Sequence, residues 1–179
     1  MNKSFAALAT NFVGFQLLWF VAVYGAAKGW GWTAWLVLAA MQLGVWSLTG
    51  RWRQDLTLLA AGAVACVLFE PIWMVPAFIE YVDWPRQWVA PAWIWALWLG
   101  FAVSFNYCLA WLRSKLLLAA LFGAVGGVFS VTVGINFGAA STPQGWWPLA
   151  LSYAAVWAMV VPALAYLARR LDEEQGGYA

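Results

Sequence analysis

Apolar residues run through this chain in blocks of about twenty or slightly more, and the charged residues fall almost wholly between the blocks. A helix needs roughly 20 apolar residues to cross a hydrocarbon core about 30 Å thick, so the pattern predicts membrane-spanning helices rather than the striped helices of a soluble fold. Six spans are expected, at 4–27, 30–50, 56–79, 88–112, 116–140 and 146–168. The connections are short, and no polar, low-complexity or repeat segment separates the spans. One domain over 1–179 is expected, an all-α polytopic membrane helix bundle with six transmembrane helices. The first run is longer than a signal-peptide core and carries Asn11 and Gln16, which fits a retained helix better.

Composition strengthens this reading. The chain is 65% hydrophobic and only 9% charged, whereas about a quarter of the residues of a soluble domain carry charge. A net charge of +2 is too small to suggest a nucleic-acid partner, and the meaning of the basic residues lies in their placement. With six spans, Lys3, Arg51, Arg53, Arg113, Lys115, Arg169 and Arg170 share one side, against Lys28 and Arg86 on the other, the latter accompanied by Glu80 and Asp83. The positive-inside rule then puts both termini in the cytoplasm. The chain has no histidine, which excludes Ser–His and Cys–His nucleophile pairs, histidine-ligated haem and the two-histidine zinc helix. Cys66 and Cys108 lie in apolar spans and read as small buried hydrophobes. No metal or cofactor is expected.

Against this background Glu70, followed directly by Pro71, stands out. Counted from Asp55, it lies about 22 Å along its helix at 1.5 Å per residue, past the middle of the bilayer. An ionisable group at such depth is a functional-site candidate. The fifth span carries Gly123, Gly127, Ser130, Gly134 and Gly138 at gaps of three or four, a ridge suited to close helix contact, and is expected to pack against Glu70. Thr132 and Asn136 fall at a similar depth, and the sixth span brings Tyr153 there. The predicted ligand-binding set is Glu70, Trp73, Thr132, Asn136, Tyr153 and Gln16, around an outward-biased cavity bounded by the third, fifth and sixth spans. Asn11, Gln16 and Gln42 read first as interhelical hydrogen-bonding groups and second as ligand contacts, and Ser104, Asn106 and Tyr107 as helix contacts. Of the 16 tryptophans, Trp30, Trp32, Trp35, Trp84, Trp88, Trp146 and Trp147 suit an outer interfacial belt. Trp19, Trp73, Trp95, Trp98 and Trp157 lie deeper and are lipid-facing bulk or pocket walls.

Asn11-Phe12, Phe15-Gln16, Trp19-Phe20 and Gly25-Ala26 are followed by Gly62 with an acid eight residues on, then by Ala90-Pro91-x-Trp93, Leu97-Trp98 and Leu109-Ala110-Trp111-Leu112. With Leu121-x-Gly123-Ala124-x-Gly126-Gly127 and Gly138-Ala139, this series resembles a family of small bacterial six-helix inner-membrane proteins classed as a domain of unknown function. In that family the acid is commonly aspartate and proline follows Gly-Gly, where this chain has Glu70 and Val128. The resemblance implies a multi-pass protein of the bacterial inner (cytoplasmic) membrane and a role involving lipids. Three function classes are consistent with the residues. One is binding or transport of a lipid or lipophilic small molecule near Glu70, a second is a structural or assembly subunit with a membrane-protein partner, and the third is an intramembrane lipid-modifying enzyme using Glu70 as acid or base.

Overall fold

The computed structural model describes residues 2–84 and 88–176, so Pro85 and Arg86 of the third-to-fourth connection lie outside the described residues. Six α-helices follow one another: α1 (Lys3–Ala27), α2 (Ala34–Thr49), α3 (Trp52–Met74), α4 (Ala92–Ser104), α5 (Leu116–Asn136) and α6 (Trp146–Gly176). Counting the 3₁₀ turn Gly31–Thr33 with α2, all but α4 are long and apolar enough to cross a membrane.

The fourth element departs from expectation. Instead of 88–112 it is helical for 13 residues, about 20 Å, which falls short of a hydrocarbon core about 30 Å thick. Beyond Ser104 the chain turns irregularly and makes a 3₁₀ turn at Ala110–Leu112. The physical reason is polar: by leaving the helix, Asn106 and Tyr107 both reach Asp55 on α3. The third span is shifted too. Gly50, at φ 68°, ends α2, and α3 begins at Trp52, so Asp55 lies inside the helix, fully buried, rather than marking its boundary. The sixth helix continues past 168 to Gly176 and contains Pro162.

α4 is apolar on every side, and a helix of that kind belongs in an interior. Trp93, Ile94, Ala96, Trp98, Gly100, Ala102 and Val103 are all buried, and α4 packs on α1, α2 and α3. Gly62 permits a close backbone approach between α3 and α4, since a Cβ there would lie 2.7 Å from the Trp98 carbonyl oxygen. The glycine ridge of α5 does not pack directly on Glu70: Gly123 and Gly127 lie against α6, while Ser130 and Gly134 face α1. A Cβ on Gly123 would meet the Trp157 carbonyl oxygen at 2.2 Å, and one on Gly127 would meet the Trp157 ring at 2.6 Å.

The bundle is tied at both ends. At one, β1 (Glu80–Tyr81), just after α3, pairs antiparallel with β2 (Ala140–Ser141), just after α5, with Tyr81 opposite Ala140. At the other, Asp172 of α6 forms ion pairs with Arg51 and Arg113. Arg113 also donates to the Phe105 carbonyl and to Asn106 Oδ1. Burial pulls its guanidinium below the ordinary value, and the Asp172 charge opposes that shift.

Candidate intramembrane cavity

α3 buries one stripe, running through Asp55, Leu58, Gly62, Ala65, Cys66, Glu70 and Trp73 at helical spacing. Two carboxyl groups therefore lie on one face, 15 residues or about 22 Å apart, both turned toward the α4 segment. Asp55 is the one nearer the start of α3. Its Oδ1 accepts from Asn106 Nδ2 at 2.7 Å, and its Oδ2 accepts from Gln42 Nε2 at 2.8 Å, Trp46 Nε1 at 2.9 Å and the Tyr107 hydroxyl at 2.8 Å. Four donors from α2 and the α4–α5 connection converge on this carboxylate, which ties both to α3.

Glu70 lies about one turn before α3 ends and is 3% exposed. The helix passes Pro71 and stops at Met74. The Phe78 and Ile79 amides then bond the Trp73 carbonyl, Ala77 takes a left-handed φ of 55°, and the chain folds back over its own last turn. That reversal delivers the Tyr81 hydroxyl to Glu70 Oε2 at 2.7 Å. The other oxygen, Oε1, accepts from Trp98 Nε1 at 2.7 Å, an approach made close by Gly62. Tyr153 of α6 is near enough to interact electrostatically with Glu70 and Tyr81.

Beside this group opens a half-enclosed cavity of about 350 Å³. It is walled by Phe15 and Trp19 of α1, Trp93, Leu97, Trp98 and Phe101 of α4, Phe122, Gly126 and Ser130 of α5, and Tyr153 and Trp157 of α6. Trp98 and Trp157 are stacked with centroids 4.7 Å apart, and Trp19 Nε1 donates to Ser130 Oγ at 2.8 Å.

The structure brings together only part of the predicted set. Glu70 and Tyr153 line the cavity, and Gln16 lies at it on an exposed part of α1. Trp73 is completely buried behind the wall, its ring centroid 4.1 Å from that of Tyr153. Thr132 faces elsewhere: it accepts from Trp146 Nε1 and lines a shallow surface depression with Phe129 and Trp146. Two residues from Ser130 is 200° around a helix, which turns Thr132 away from the cavity. Asn136 is exposed and lines neither space. The cavity boundary is also corrected, because α1, α4 and the Ile79–Tyr81 segment join α3, α5 and α6. Tyr81 and Trp93 were missed. Tyr81 had no signal beyond its position soon after Glu70, whereas Trp98 and Trp157 were already marked by their depth.

A family profile described as protein of unknown function (DUF2878) matches residues 8–163, most of the chain. The chain belongs to the DUF2878 family. Comparison with curated proteins and with solved structures gives no match. For this DUF2878 chain, functional evidence therefore comes from the cavity itself.

Proposed function

We propose that this multi-pass protein, placed in the bacterial inner membrane with both termini cytoplasmic, binds or transports a lipid or another lipophilic small molecule in the cavity beside Glu70. The observation that carries the reading is an aromatic cavity of about 350 Å³ with one buried carboxyl at its wall. Ligand sites are typically concave spaces of about 300–1,000 Å³ with mostly apolar walls and few polar groups. The partner implied is membrane lipid or a molecule dissolved in it.

Gly126 allows a test that spares the polar groups. It lines the cavity, and a Cβ there would meet nothing within 4 Å. Gly126→Ala should melt like the parent in detergent. Gly126→Leu, which projects bulk into the space, should also fold but lose most of any molecule that co-purifies with the parent, as read by native mass spectrometry and lipid extraction. Equal ligand content in the parent and Gly126→Leu would remove the cavity from consideration.

Glu70 gives a second expectation. In Glu70→Gln the amide oxygen can accept from Trp98 while its NH₂ donates to a rotated Tyr81 hydroxyl, whereas Glu70→Leu leaves both donors without an acceptor. The Gln variant should lose about 1 kcal/mol or less and the Leu variant about 1–3 kcal/mol, compared by thermal melting in one detergent. Similar losses in the two variants would mean that the Glu70 hydrogen bonds do not bear on stability.

A further inference from the structure

Glu70 is the only acidic or basic side chain among the described residues that line the cavity. Its two hydrogen-bond partners, an indole N–H and a phenol O–H, are neutral donors. They leave each oxygen with a further acceptor position and bring no positive charge. Among the described residues, no lysine or arginine lines the cavity. Arg51 and Arg113 hold Asp172, Lys28 lies over the Tyr24 ring, and Lys115 lies over the Trp111 ring. In a medium of low dielectric a carboxylate attracts a counter-charge far more strongly than in water. The cavity that this carboxyl borders is lined by the rings of Trp19, Trp93, Trp98, Trp157, Tyr81 and Tyr153. The faces of such rings attract cations, and aromatic enclosures are a recurrent way of holding quaternary ammonium groups.

We propose that the cavity takes an ammonium-bearing amphiphile, with a protonated-amine or quaternary-ammonium group held between Glu70 and the aromatic rings and an apolar tail along Leu97, Phe101, Phe122 and Phe129. The proposal rests on the reading that the cavity binds a lipophilic molecule, and it names the chemistry of the head. Ammonium groups occur both on single-chain amines and on the headgroups of zwitterionic phospholipids, and the two sources are separable by competition.

The test uses the full-length protein in a nonionic detergent and two probes of matched shape, decyltrimethylammonium and the uncharged decyldimethylphosphine oxide. Binding isotherms should show the ammonium binding at least about tenfold more tightly, and Glu70→Gln should narrow that ratio to within about threefold. The parent comparison needs no variant, so it decides the question even if Glu70→Gln folds poorly. Equal binding of the two probes overturns the cation preference while keeping the lipophilic cavity. Binding of neither overturns the cavity reading itself. Displacement of decyltrimethylammonium by a short-chain phosphatidylcholine assigns the headgroup as the source of the cation, and failure to displace assigns a single-chain amine.

Discussion

Asp55→Leu should lower the melting temperature in detergent by roughly 10 °C, although leucine favours the bilayer and insertion itself should improve. The carboxylate is fully buried and gathers donors from Gln42, Trp46, Asn106 and Tyr107. Interhelical hydrogen bonds in membrane proteins average about 0.6 kcal/mol each. Four such bonds reach a little over 2 kcal/mol, and donors left buried without an acceptor raise the loss toward about 3–5 kcal/mol. Asp55→Asn should fall between parent and Leu, because its NH₂ would face other donors. Thermal unfolding of the three proteins under one condition checks this, and a Leu variant melting within about 2 °C of the parent would show that the cluster contributes little.

The second large effect belongs to the α5–α6 contact. Gly123→Ala should lose about 1–3 kcal/mol, the usual range for overpacking, because the added methyl meets the Trp157 carbonyl oxygen at 2.2 Å and Val161 at 2.7 Å. A backbone carbonyl cannot rotate aside, so α6 as a whole must move. Gly134→Ala is the internal control: its Cβ would find only Val23, at 3.9 Å, and its melting should match that of the parent. Both glycines belong to the same sequence ridge, so equal melting of the two alanine variants would mean that the ridge does not act through this contact.

These two sites also show how far the sequence reading reached. Span length follows from bilayer thickness, and so α1 and the start of α5 are where the apolar runs put them. Hydropathy records polarity and says nothing of where a hydrogen bond leads. The 88–112 run is apolar enough to be one span, yet it ends its helix at Ser104 because Asn106 and Tyr107 turn to Asp55. Asp55 was taken for a boundary because it is charged. Its spacing from Leu58, Gly62, Cys66 and Glu70 was the legible sign that it shares their buried face. Depth along a helix can be counted, which is why Glu70 and Tyr153 were found. The neighbour across the gap cannot be counted, which is why Thr132 and Asn136 were assigned to a cavity they do not face.

The shortness of α4 has a consequence for how the chain enters the membrane. Thirteen residues cannot cross alone, and irregular backbone at membrane depth is stable only when enclosed by protein. During synthesis α2 and α3 emerge before α4, so Gln42 and Trp46 can already hold Asp55 when Asn106 and Tyr107 arrive. The earlier helices then act as the template on which the fourth is laid, and Asp55 serves as the docking point for a segment whose helix is too short to span alone.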